Sequence, residues 1–287
     1  MRRTLSHLPS NGIRSAKRLG RIIGSRLPVS TTVDLIRATA LAHDPHRVAT
    51  TDTYIRMAGL RAVLSAETWY VDYCTLYGIV VDRVFDAPFA GMCVVDIGAH
   101  KGFYAANALR QGAIQVISYE PEAQNLAALR STAIGSTRWT IWGDAVGSHA
   151  GEMPLNISTA SWSHSSRQPI SGSIVATQVV SMRTLKSVID DAAERAAGAP
   201  LLVKINIEGM AGEIIASTAP HDLERIAALW LDVEDTDTLG AEAIAAHLSK
   251  AGMTIRQVVG GRHLFLRSDT ATNSQLDGES SEPLDQT

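Results

Sequence analysis

The chain has 287 residues, 45% of them hydrophobic, enough for one large core or at most two small ones. Its formal net charge is -3, so no global field draws it to nucleic acid, and no apolar run approaches the length that spans a bilayer. The two cysteines, Cys74 and Cys93, suit a reducing cytoplasm better than secretion, and Cys93 sits in an apolar run as a core thiol would.

The first segment, 1–68, reads as basic and helical. Arg2, Arg3, Arg14, Lys17, Arg18, Arg21 and Arg26 all precede the first acid, Asp34. Ile13, Ala16, Leu19, Ile23 and Leu27 fall near one helical face. A basic amphipathic helix can lie on an anionic membrane surface, which would make the protein cytoplasmic and peripheral to the membrane. The Arg- and Ser-rich composition also resembles a transit peptide. A solvated helix docked on the domain, or a frayed start, is the plainer alternative.

The second segment, 69–267, alternates apolar runs with helical patterns. "MCVVDI" reads as a buried strand and "FYAANALRQGA" as a helix ending near Gly112. "IQVISYE" is a second strand and "PEAQNLAALRSTAI" a second helix, with Pro121 in its first turn, where a missing N–H costs nothing. "RWTIWGDAV" is a third strand with its exit loop. Residues 150–185, including "LNISTASWSHSSRQPISGSI", break the alternation and read as a long, Ser-rich, functional loop. "LLVKINIE" and "IAALWLDVE" are the fourth and fifth strands, separated by a helix at "GEIIAST". "GAEAIAAHLSKAG" is an amphipathic helix, and "TIRQVV" and "HLFLR" close the sheet as a pair around Gly260-Gly261. Near-continuous apolar strands alternating with helices predict a parallel sheet covered on both faces. Residues 268–287 are polar and predict a disordered tail.

Sheets of this kind bind ligands at the carboxyl ends of their strands. Those ends carry a row of acids: Asp96, Glu120, Asp144, Glu208, then Asp232, Glu234 and Asp235. The turn Gly98-Ala99-His100-Lys101-Gly102 lacks the middle glycine of a dinucleotide fingerprint, and Asp96 would repel a phosphate. A cationic ligand without phosphate fits better, and S-adenosyl-L-methionine (SAM) is one. Asp96 would attract its positive groups, directly or through water. The backbone of Gly98, Ala99, His100 and Gly102 would approach its methionine part. Glu120, followed by Pro121, would accept both ribose hydroxyls. Asp144 would take the adenine amino group, with the Ala145 backbone beside it and Val146 packing the ring. Each acid alone also looks like a helix N-cap, Glu120 before Pro121 included.

At these residues the sequence resembles the FkbM family of SAM-dependent methyltransferases. The family pattern runs Asp-x-Gly-Ala-Asn-x-Gly, Glu-Pro, an Ala-Val step, then Lys-Ile-Asp-x-Glu-Gly; this chain shows "DIGAHKG", "YEP", "GDAVGSHAG" and "VKINIEG". The resemblance runs from about Trp69 to Leu266. It implies an α/β, Rossmann-like class I methyltransferase fold: a seven-stranded, mostly parallel sheet with an antiparallel last strand, preceded here by N-terminal helices. It also implies methylation of a hydroxyl on a small molecule, a sugar or a lipid-linked sugar (a glycolipid acceptor). His100 stands where the family has Asn, and Asn206 where it has Asp. A neutral amide is a poor ligand for magnesium, so no metal site is assigned.

A hydroxyl acceptor must lose its proton to a general base. Glu208 and His164 are the candidates. Lys204 reads as a buried lysine paired with an acid, and Asp232 and Glu234 as substrate-binding or as support behind the site, with a divalent metal between them and Glu208 the lesser option. Two further readings are a nicotinamide-dependent oxidoreductase and a SAM-binding module without turnover.

Overall fold

The protein is described by a computed structural model covering residues 8–42, 49–159, 164–165, 172–207, 209–233, 239–259 and 261–268, with side chains from residue 15. Two helices come first, α1 (Leu8–Gly24) and α2 (Val29–Leu41). A hairpin follows, of strands β1 (Thr53–Met57) and β2 (Leu60–Leu64), and then helix α3 (Trp69–Val80). The hairpin is a correction to the all-helical reading of 1–68. Its strands join through Ala58 and Gly59, both with positive φ (48° and 89°), which matches the twist of a two-residue hairpin loop. The arginine-rich context conceals it, because Arg56 and Arg61 occupy its outward positions.

Strand β3 (Cys93–Ile97) leads to α4 (Phe103–Arg110), β4 (Gln115–Tyr119) to α5 (Ala123–Thr132), and then comes β5 (Trp139–Trp142). Pro121 lies before the cap of α5, not in its first turn. Glu122 is the N-cap, accepting from the amides of Gln124 (3.0 Å) and Asn125 (2.7 Å). Next come β6 (Ala145–Gly147), β7 (Gly151–Ser158), β8 (Ile174–Thr184) and α6 (Leu185–Ala196). The order closes with β9 (Leu201–Ile205), α7 (Ala211–Ser217), α8 (Pro220–Leu223), β10 (Ile226–Asp232), α9 (Ala241–Ser249), β11 (Met253–Val259) and β12 (Arg262–Arg267).

Seven strands form one sheet in the order β11-β12-β10-β9-β3-β4-β5. β9, β10, β3, β4 and β5 run parallel, and β12 is antiparallel to both of its neighbours. This is the class I methyltransferase arrangement. Strand order reverses between β3 and β9, so the crevice for a ligand opens beyond Ile97 and Ile205.

Side-chain alternation divides the core into two faces. Cys93, Val95 and Ile97 join one cluster with α6, α7 and α9; Val94 joins the other, with α3, α4 and the N-terminal elements. Ile22, Leu35, Ile55, Met57 and Leu64 belong to that second cluster, so segment 1–68 shares its core with the sheet.

The stretch 150–185 is not one long loop. β7 pairs antiparallel with β8, and β6 completes a three-stranded arm. Among the described residues, Met153 and Leu155 of β7 and Val180 and Met182 of β8 form its buried apolar cluster, around Ala145. One wet face of Ser, Thr and Gln gives such strands a loop-like composition.

Candidate active site

The turn after β3 is set by backbone conformation. Gly98 has φ 72°, and a Cβ there would lie 2.1 Å from the carbonyl oxygen of Asn206 at the end of β9. Only glycine lets the two central strands leave the sheet side by side. His100 is also left-handed (φ 51°), in a region where Asn and His are the side chains best tolerated. That conformation turns the His100 amide toward the next strand, where it donates to Glu120 Oε2 at 2.7 Å. The Glu122 amide donates to Oε1 at 3.0 Å. Glu120 is thus held by backbone at both oxygens and is not a helix cap. Burial pushes its carboxyl up to about 8, against these two amides and the more distant Lys204 ammonium, which favour the ionised form.

Asp96 is placed differently from the reading above. It is fully buried, it lines neither cavity, and its Oδ1 receives the Lys204 ammonium at 2.9 Å. The two residues are register partners across β3 and β9, and Lys204 also donates to Gly98 O at 2.8 Å. Lys204 therefore balances Asp96 and ties down the turn, as the pairing of a buried lysine with an acid requires.

Sequence reasoning missed a second buried lysine. Lys101 Nζ meets Asp72 Oδ2 (2.6 Å), Ser65 Oγ (2.9 Å) and Thr68 Oγ1 (2.5 Å). Asp72 Oδ1 faces His100 Nε2 at 3.9 Å. The turn is thereby fastened to the start of α3. The only signal in the sequence was a charged residue inside the otherwise apolar run "WYVDYC".

Among the described residues, two cavities open at the strand ends. The first, of about 840 Å³, is lined by Gly98, His100, Glu120, Pro121, Asn125, Asp144, Ala145 and Val146, and is closed by Met153 and Leu155 of the arm. The second, of about 1260 Å³, lies under α3 and is lined by Tyr70, Cys74, Phe85, Ala99, Tyr104, Lys204, Asp232 and Arg262. Thr75, Gly98, His100 and Asn206 line both. Gly102 lines neither; a Cβ on it would meet Leu129 and Trp139 of the core. Asp232 pairs with Arg262 at 3.1 Å. Among the described residues the Tyr104 hydroxyl has no hydrogen-bond partner, and burial pushes it well above its ordinary value.

His164 lines the first cavity. Its Nδ1 accepts from the Ser158 amide at 3.0 Å, and its Nε2 lies 3.9 Å from Glu122. With the Nδ1 lone pair occupied, a neutral ring carries its proton on Nε2 and has no lone pair left to accept one. This corrects the reading of His164 as a general base. Glu208, Glu234 and Asp235 lie outside the described residues. Among the described residues no group of three His, Cys, Asp or Glu could hold a metal.

The sequence model of the methyltransferase FkbM domain matches residues 96–252. The chain belongs to the FkbM methyltransferase family. SAM is the cofactor of that family, and the first cavity suits it, because a backbone-held carboxyl stands at the end of β4 and a second acid, Asp144, beyond the end of β5. Membership removes the oxidoreductase alternative.

No curated protein matches the sequence. Among solved structures, the FkbM methyltransferase from Methylobacillus flagellatus KT is 15% identical with a TM-score of 0.43, covering 90% of this chain and 60% of that one. SMU.776, complexed with SAH, is 8% identical with a TM-score of 0.42, covering 76% and 56%. Aeropyrum pernix fibrillarin, with natively bound SAM, is 9% identical with a TM-score of 0.39, covering 77% and 84%. The chain thus spans less than two thirds of the length of the first two.

Proposed function

We propose that this FkbM methyltransferase methylates a hydroxyl group of a small molecule, a sugar or a lipid-linked sugar. The donor would occupy the first cavity and the acceptor the second. The observation that carries this reading is the wall shared by the two cavities, at Thr75, Gly98, His100 and Asn206. A group passing between them would travel along the end of β9. Bound SAM supplies an activated methyl, and the chain supplies orientation and a site closed to water. Glu120 would hold the ribose hydroxyls and Asp144 the adenine amino group. The second cavity combines an apolar wall (Val71, Ile79, Val84) with a polar end (Tyr104, Asp232, Arg262), which suits an amphiphilic acceptor bearing hydroxyls.

The acceptor proton needs a base. Glu208 follows Asn206 by two residues, and it is the candidate that remains. Replacing it with Gln should lower kcat while leaving donor affinity unchanged; equal turnover would remove it from the role.

Isothermal titration with SAM tests the donor site. Glu120→Ala should weaken binding by about 1.5–3 kcal/mol, the worth of a lost charge-assisted contact. Transfer of labelled methyl into a cell extract, followed by identification of the labelled atom, tests the acceptor. Label on nitrogen or carbon would overturn the hydroxyl assignment. SAM binding with no transfer to any acceptor would favour a module without turnover.

A further inference from the structure

The first helix packs in an unexpected orientation. At about 100° per residue, Ala16, Gly20 and Ile23 share one stripe of α1, and Ile22 lies roughly a third of a turn from it. Ile22, not that stripe, is the buried position, fully enclosed in the core. Arg18 sits on the docked side, its guanidinium 5.6 Å from the Tyr73 ring centre and 5.5 Å from that of Tyr77, and its carbonyl accepts from the Tyr77 hydroxyl at 3.3 Å. α1 is therefore fixed to α3; Leu19 is half-buried and Leu27 packs against the core, while Ala16 and Ile23 are turned outward. Ile23 is 71% exposed, and Val29, at the start of α2, is 80% exposed. Lys17, Arg21 and Arg26 are exposed around them. The facing charged groups are few: Arg21 pairs with Asp82 at 3.1 Å, and Asp34 is held by Arg56 at 2.7 Å. No acid precedes Asp34 in the chain.

We propose that this corner, from Lys17 to Val29, docks on the surface of an anionic phospholipid bilayer. Charge complementarity selects that partner. Branched apolar side chains ringed by cations match a boundary where acyl chains lie beneath negative headgroups. Ile23 and Val29 enter the headgroup layer, and Lys17 and Arg26 meet the phosphates. Because α1 rests on α3, and α3 walls the second cavity, docking sets that cavity close to the lipid.

The test is co-sedimentation of the full chain with large unilamellar vesicles, either phosphatidylcholine alone or equimolar phosphatidylcholine and phosphatidylglycerol. The chain is expected to pellet with the anionic vesicles only, and to be released by high salt. Ile23→Asp with Val29→Asp should lower the partition by about tenfold or more, and so should Lys17→Gln with Arg26→Asn, because each pair removes one of the two contributions. These positions are exposed, so thermal melting of both variants should match the parent and exclude unfolding as the cause. Failure to pellet with anionic vesicles, or pelleting unchanged in both variants, overturns the proposal. A dimer in solution that Ile23→Asp dissociates also overturns it, and assigns the patch to a second copy of the chain.

Discussion

Glu120 shows how a buried acid can be poised for a ligand. Two backbone amides hold it, yet burial still keeps its carboxyl up at about 8. Ribose hydroxyls donating to it would favour the ionised form and lower that value. Cofactor binding should then release a proton below pH 8, so affinity should rise with pH, by at most about tenfold per unit, and level off above 8. The sign for stability is opposite. The unfolded carboxyl titrates near 4.5, so the contribution of Glu120 to stability is full below that and is lost as pH climbs through 8. Titrations with SAM from pH 6 to 9 check the first statement, and Glu120→Gln should flatten the profile. A flat parent profile would show that Glu120 does not touch the donor. Gly98 is constrained by space instead. Gly98→Ala places a methyl 2.1 Å from a backbone oxygen in a left-handed conformation, and should cost more than about 2 kcal/mol by thermal denaturation.

Between elements, the Lys101–Asp72 contact joins the turn after β3 to α3. Lys101→Met would leave Asp72 buried without its cation, and should cost about 3–5 kcal/mol. Adding Asp72→Asn should recover part of that loss, because the uncompensated charge goes with it. Additive losses in denaturant unfolding would mean that the pair is not coupled. The same contact marks where sequence reading stops. The strands of the main sheet are legible, because each is a short apolar run, and their acidic ends place Glu120 and Asp144 in one crevice. Asp96 is misread, because its partner Lys204 is 108 positions away along the chain and only strand order brings the two together. The second cavity is invisible for the same reason: its walls come from α3, Phe85, Tyr104, Asp232 and Arg262. The arm of β7 and β8 is hidden by its composition, since it buries one face only.

At the scale of the whole molecule, the N-terminal elements and the methyltransferase sheet share one hydrophobic cluster. Ile22, Leu35, Ile55, Met57 and Leu64 are essentially buried and share a cluster with Val94 and Val116 of the central strands. Full burial of each such side chain stabilises by about 1.5–3 kcal/mol, so the five together contribute on the order of 10 kcal/mol. A whole domain is stable by only about 5–15 kcal/mol. Removing residues 1–68 would also strip Ser65 and Thr68 from Lys101, and so loosen the turn at the cofactor site. A chain beginning at Trp69 is therefore expected to lose cooperative unfolding, near-UV ellipticity and SAM affinity together, and to bind a dye for exposed apolar surface. A sharp melting transition with donor affinity retained would show instead that the sheet and its own helices suffice.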